Sequence, residues 1–143
     1  TIGGVERRGG RPRHLLQRFG ETFTAGTPPP RPRALPLVVE KGQPLVFRAY
    51  RPGDKLEKGV WNIPIPASGD PVFPDIVVAP LVGVDPANYR LGYGGGFFDR
   101  TLATMPRKPL VIGVGYEMQR ISTIYPQPHD IPMDKVVTEA KSL

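Results

Sequence analysis

The sequence predicts an α/β fold with a mostly parallel sheet and flanking helices, and three stretches predict it. Asp75-Ile76-Val77-Val78-Ala79-Pro80-Leu81-Val82 is a β-branched run without polar alternation, the pattern of a parallel strand covered on both faces. Residues 90–100 place four glycines in five positions and open into 97–105, where Phe98, Leu102 and Met105 share one helical face and Pro106 stops the helix. Leu110-Val111-Ile112-Gly113-Val114-Gly115-Tyr116 is a second buried strand. Strand, glycine loop, helix and strand in that order make a βαβ unit.

The elements follow in order along the chain. Residues 1–33 have little apolar periodicity, and Pro28-Pro29-Pro30-Arg31-Pro32 cannot be helical, because each proline lacks a donor and restricts its predecessor. They are expected to be a poorly ordered Arg/Pro/Gly-rich segment with at most a short helix over 14–23, and the folded domain is expected to span 34–143. Its first strands are 35–39 and 45–50, separated by the turn residues Lys41-Gly42-Gln43-Pro44. Arg51-Pro52-Gly53-Asp54 is a second turn, Trp61-Asn62-Ile63-Pro64-Ile65-Pro66 is too proline-rich for a central strand and reads as an extended loop or edge, and 70–74 is a connector. The 75–82 strand is expected at the centre of the sheet and 134–138 as its last, short strand.

Composition bounds the chemistry. In 143 residues there are 17 Gly and 19 Pro, about a quarter of the chain, against 39% hydrophobic residues, enough for one core plus a poorly ordered segment. The absence of cysteine excludes disulfides, thiolate metal sites and a thiol nucleophile, and fits a reducing, cytoplasmic compartment. No apolar run reaches the ~20 residues of a membrane span. The net charge of +6 is concentrated in residues 1–33, where seven arginines face two glutamates. That segment lacks the interleaved aromatics of a nucleic-acid surface, so neither nucleic acid nor membrane is expected as a partner.

The glycine-rich stretch Arg90-Leu91-Gly92-Tyr93-Gly94-Gly95-Gly96-Phe97-Phe98-Asp99-Arg100 carries the chemistry. Its glycines permit positive φ and close backbone approach, so that successive N–H groups and the helix start can face phosphate oxygens. It matches neither the dinucleotide fingerprint nor the Walker pattern, and a tight turn for close helix packing accounts for the glycines equally well. Arg90 and Arg100 are candidate phosphate contacts, whereas Asp99 tolerates a phosphate only with a divalent cation between them. In His129-Asp130-Ile131-Pro132-Met133-Asp134, Asp130 or Asp134 is a candidate to complete a Mg²⁺ site with Asp99; otherwise Asp130 is a turn cap and Asp134 caps or flanks the last strand. Trp61, the sole tryptophan, either stacks on a flat heterocycle or lids the core, and Tyr93, Phe97 and Phe98 are candidates to line an aromatic pocket.

With Trp61-Asn62-Ile63-Pro64, Ala79-Pro80-Leu81-Val82-Gly83-Val84-Asp85, residues 90–100 and 129–139 in view, the chain resembles the 5-formyltetrahydrofolate cyclo-ligase family from Leu35 to about Ala140. The resemblance implies a fold of the glucosamine-phosphate isomerase and CoA-transferase type. It also implies conversion of 5-formyltetrahydrofolate to 5,10-methenyltetrahydrofolate with ATP and Mg²⁺, by a monomer whose partner is a small-molecule substrate. By position it implies a nucleotide loop of Arg90, Leu91, Gly92, Tyr93, Gly94, Gly95, Gly96, Phe97 and Phe98. It further implies that Trp61, Tyr93, Gly94, Gly95, Gly96 and Phe97 lie against the folate, that Asp99 and Asp130 ligate Mg²⁺, and that Arg90 and Tyr93 make the catalytic contacts. The alternative is a folate- or nucleotide-binding module without turnover. The chain departs from the family pattern at Phe97-Phe98, where Tyr-Tyr is usual. It departs again in residues 1–33, which lack the helical pattern that supplies a Lys, an Arg and a Glu and whose texture is that of a shifted reading frame.

Overall fold

The computed structural model describes residues 32–140. The expected poorly ordered segment and the short helix over 14–23 lie outside the described residues, apart from Arg33, which opens the first strand. The strands are β1 (Arg33–Leu37), β2 (Val46–Tyr50), β3 (Leu56–Lys58), β4 (Pro64–Pro66), β5 (Pro71–Val72), β6 (Ile76–Pro80), β7 (Gly83–Val84), β8 (Arg90–Leu91), β9 (Leu110–Val114) and β10 (Lys135–Val137). One α-helix, α1 (Phe97–Thr104), and two short 3₁₀ turns, Val60–Asn62 and Glu117–Gln119, complete the described residues.

The fold is mixed α/β, and its sheets correct the expectation of a mostly parallel one. Only β10-β9-β6 is parallel; β1-β2-β5 is an antiparallel sheet, and β3-β4 and β7-β8 are antiparallel ribbons. The central parallel strand is β9, not β6, which lies at the edge of the described sheet with Ile76 opposite Leu110 and Pro80 opposite Val114. Pro80 gives the reason: a proline has no N–H for a second neighbour and belongs on an edge. The same rule holds for Pro36 in β1, Pro71 in β5, and Pro64 and Pro66 in the two-stranded ribbon. Nor is β6 covered on both faces. Val77 and Ala79 are buried, while Val78 on the opposite face is 61% exposed.

The core lies on the covered face of the parallel sheet. Ala79, Leu81, Val84, Val111 and Met133 form it, and Phe98 and Leu102 of α1 pack against it with Val136. Glycine is required at 113 because Met133 lies on the bare backbone there: a Cβ would stand 2.7 Å from Met133 Cε, nearer still to its Sδ, and 3.2 Å from Leu81. Two further ties matter for the site. Buried Thr101 on α1 accepts the Leu45 amide at 2.8 Å and donates to the Phe97 carbonyl, joining the helix to the antiparallel sheet. Buried Asp85 accepts the amides of Ala87 and Tyr89, each at 3.0 Å, and so folds the β7–β8 connection. Among the described residues no helix is long and apolar enough to cross a membrane.

Asp134 fixes the start of the last strand. Its Oδ2 accepts the Val111 amide at 2.8 Å and its Oδ1 lies 3.3 Å from Lys108 Nζ. The Val111 amide holds this carboxyl below its usual pKa, with a smaller contribution from Lys108, against partial burial that acts the other way. A carboxyl depressed in the folded state stabilises fully above its unfolded pKa of about 3.9 and loses that stabilisation as pH falls through the lower folded value. Asp134→Ala should therefore cost about 1 kcal/mol at neutral pH, a difference from wild type that shrinks below about pH 4 in urea titrations. Gly113→Ala should cost about 1–3 kcal/mol, because Met133 has no free volume to retreat into; an unchanged urea midpoint would show that it has.

Candidate functional site

Residues 90–100 line one wall of a cavity of about 1250 Å³, larger than the roughly 300–1000 Å³ usual for a single small ligand. The loop needs its glycines for two different reasons. Gly94 and Gly96 have φ of 87° and 63°, the left-handed region that other residues enter at a cost. At Gly92 and Gly95 the neighbours come too close: a Cβ would meet Arg90 Nη1 or the Phe97 ring, each at 2.6 Å. Gly96 is the N-cap of α1 and offers no side-chain cap, so the positive end of the helix opens beside the cavity without an internal acceptor from its cap residue.

Arg90 is held more tightly than a surface phosphate contact. Its Nη1 donates to the Pro80 carbonyl at 3.0 Å, its guanidinium lies 4.7 Å from the centre of the Phe98 ring, and Gly92 leaves room for it. Burial lowers its pKa, and Asp99 and Asp130 oppose that shift, so both carboxylates act on the same cation. Arg100 donates to the Gly95 carbonyl at 3.3 Å. Tyr93 stands almost wholly exposed at the loop tip, and the Leu91 carbonyl receives the Val82 amide at 2.8 Å.

Asp99, in the first turn of α1, accepts the Ile131 amide through Oδ1 at 3.0 Å, and Asp130 accepts the Gln127 amide through Oδ2 at 2.7 Å. The turn-capping reading of Asp130 is thus satisfied while its residue still lines the cavity with Asp99. Each carboxylate commits one oxygen to the backbone, and Asp130 Oδ1 faces His129 Nε2 at 3.6 Å. Among the described residues no three carboxylate or imidazole groups converge into a metal cage. Two carboxylates suit Mg²⁺ when phosphate and water oxygens complete the shell.

The aromatic wall comes from the β3–β4 hairpin. Its turn, Val60 to Ile63, closes with the Ile63 amide on the Val60 carbonyl, and both central residues are left-handed, with φ of 56° at Trp61 and 58° at Asn62. This is the pattern of a type I′ hairpin turn, with a bulky aromatic where glycine or asparagine is usual. Trp61 is exposed and meets Phe97 edge to face, ring centres 5.9 Å apart at 73°. Trp61, residues 90–100 and Asp130 therefore border one cavity, whereas Asp134 is not part of its lining and is bound to the Val111 amide and Lys108. Sequence reasoning missed its apolar wall, Leu37, Leu45 and Ile65, and Lys41 at the β1–β2 turn, because no local pattern marks which strand residues meet a loop some fifty positions away.

The sequence model of the 5-formyltetrahydrofolate cyclo-ligase family matches residues 21–139. The chain belongs to that family. The match starts upstream of Leu35, where the motifs alone had placed it, so 21–34 carries family pattern as well. A 5-formyltetrahydrofolate cyclo-ligase of Mycolicibacterium smegmatis is 33% identical over 70% of this chain and 54% of the relative, and one of Haemophilus influenzae is 32% identical over 62% and 51%. The chain thus spans about half the length of the curated relatives it matches. The solved structure of a 5,10-methenyltetrahydrofolate synthetase from Aquifex aeolicus is similar with a TM-score of 0.64 at 31% identity, over 78% of this chain and 57% of that one.

The geometry gives Arg90 a positioning role that a test can isolate. Arg90→Lys keeps the charge but loses the planar stack on Phe98 and the fork toward Pro80. It should destabilise the domain by about 1 kcal/mol in chemical denaturation. Unaltered stability would mean that the guanidinium is not a clamp.

Proposed function

We propose that the chain catalyses the ATP- and Mg²⁺-dependent closure of 5-formyltetrahydrofolate to 5,10-methenyltetrahydrofolate, releasing ADP and phosphate. The observation that carries this reading is the shared cavity, where a glycine loop at a helix start adjoins an aromatic wall and two carboxylates. Membership of the family and the likeness to a synthetase supply the substrate. On this reading the sheet follows the plan of the glucosamine-phosphate isomerase and CoA-transferase group, and the protein acts as a cytoplasmic monomer.

A formamide oxygen is a poor leaving group. It attacks the γ-phosphorus of ATP and ADP departs; folate N10 then attacks the activated carbon, N10 loses its proton, phosphate leaves, and the five-membered ring closes. Positioning and charge neutralisation are the protein's share of such a phosphoryl transfer. The open amides of the glycine loop and the start of α1 face the phosphates, and Arg100 lies beside them. Asp99 and Asp130 would hold Mg²⁺, which neutralises phosphate charge when bound. Arg90 keeps the loop in register with both carboxylates, and Tyr93 at the loop tip contacts bound substrate. Trp61, with Phe97 behind it, offers the pterin a flat apolar partner.

Asp99→Asn isolates the metal assignment, because the amide oxygen still accepts the Ile131 N–H and the fold is retained. Titration calorimetry should show Mg·ATP affinity reduced at least about tenfold, or 1.4 kcal/mol, with only a small fall in melting temperature from the lost charge beside Arg90. Full affinity would remove Asp99 from the site. Following the methenyl product by its absorbance tests the reaction itself: tight binding of both substrates without ADP release would leave a binding module.

A further inference from the structure

Lys41 sits at the β1–β2 turn, where the Gln43 amide bonds to the Glu40 carbonyl at 3.2 Å and Gly42, with φ of 81°, has no atom within 4 Å of a built Cβ. The turn tip therefore stands clear of the rest of the protein. Lys41 nevertheless lines the cavity, while its neighbour Glu40 does not. Of the cavity's Lys and Arg side chains, Arg90 is committed to the Pro80 carbonyl and the Phe98 ring, and Arg100 to the Gly95 carbonyl. Lys41 has no acceptor among the described residues.

The position of this cation within the cavity limits what it serves. The same cavity has an apolar share in its lining, Leu37 of β1, Leu45 just before β2, and Ile63 and Ile65 of the hairpin that carries Trp61. The acidic groups Asp99 and Asp130 lie with the glycine loop, on other elements. A ligand suited to this arrangement is elongated: a flat ring for Trp61, an apolar middle for the aliphatic wall, and an anionic end for Lys41. A cavity larger than one compact ligand requires leaves length for it beside the nucleotide.

Resting on the cyclo-ligase reading, we propose that Lys41 is a specificity-determining residue that pairs with the glutamate carboxylates of the folate substrate. The pterin then occupies the Trp61 side, and the aminobenzoyl linker crosses Leu37 and Ile65. A mobile lysine at a solvent-open rim is suited to this task, since its three donors follow a carboxylate through several orientations. A nucleotide phosphate offers the same charge, and the ligands used in the test separate the two sources.

Titration calorimetry on wild type, Lys41→Ala and Lys41→Arg should use three ligands: 5-formyltetrahydrofolate, the primary amide of 5-formyltetrahydropteroate, which ends in an uncharged carboxamide in place of the glutamate, and Mg·ATP. Lys41→Ala should weaken 5-formyltetrahydrofolate about fivefold, the scale of one exposed ion pair, and Lys41→Arg should restore most of the affinity. The loss should shrink as salt is raised. Binding of the pteroate amide and of Mg·ATP should be the same in all three proteins. An equal loss with and without the glutamate, or a loss confined to Mg·ATP, overturns the assignment while wild-type folate binding leaves the cyclo-ligase reading intact. A wild-type protein that binds neither folate overturns both.

Discussion

The contact between Met133 and the bare backbone of Gly113 sets the geometry on which the site depends. Gly113 lies in the central parallel strand, and without a side chain there the chain that follows can fold back onto the sheet. The Met133 amide then reaches the Asn88 carbonyl at 2.9 Å, and the Asp134 amide reaches Val111 at 2.9 Å, so backbone bonds fix the residues on either side of the packed side chain. Asp130 and Ile131 precede it by a few positions and are delivered to the start of α1, where Asp99 accepts the Ile131 amide. A side chain at 113 would force the Met133 thioether and Leu81 to shift within the core that backs this turn.

Two polar contacts convert that packing into a fixed site. Arg90 is buried enough to be penalised as a cation, yet Asp99 and Asp130 favour its charge and the Phe98 face receives it. Partial desolvation of this kind strengthens each interaction and makes the unpaired alternative costly, which holds the glycine loop against the helix that follows it. Thr101 does the equivalent for the opposite wall. By taking the Leu45 amide it ties β2 to α1, so the apolar surface and the glycine loop keep one relative position. Catalysis by positioning requires such rigidity between the groups that hold the two reactants.

The parts of this arrangement that were legible in the sequence are those whose cause is local. Four glycines between a strand and an amphipathic octapeptide identify a loop and a helix start, and α1 begins at Phe97 as its pattern predicts. The order of strands was not legible from apolarity. β6 and β9 are both β-branched runs, and burial on one or both faces depends on what packs there, which no periodicity records. Pro80 was the overlooked signal, since a proline within a strand identifies an edge whatever the hydrophobicity of its neighbours. The short strands β3 and β5 escaped because three and two residues carry no measurable period, and each exists through its pairing with β4 or β2. Lys41 and Thr101 were invisible for a related reason, as each acts on a segment far along the chain.

The ring contacts of Phe97 and Phe98 are of a kind that needs no hydroxyl at either ring tip. A tyrosine differs from a phenylalanine by a hydroxyl at the ring tip, whereas both contacts seen here use other parts of the rings. Arg90 lies over the face of Phe98, where the negative π cloud attracts the cation with or without a phenol oxygen. Phe97 meets Trp61 edge to face, an arrangement governed by the ring quadrupole. A hydroxyl at either tip would add a hydrogen-bonding group to the cavity and leave both ring contacts in place. As phenylalanines they make an apolar wall beside Trp61, whose left-handed backbone costs roughly 1–2 kcal/mol and is held by the hairpin on either side. Specific recognition in this part of the cavity consequently falls to shape and to the few charged groups at its rim.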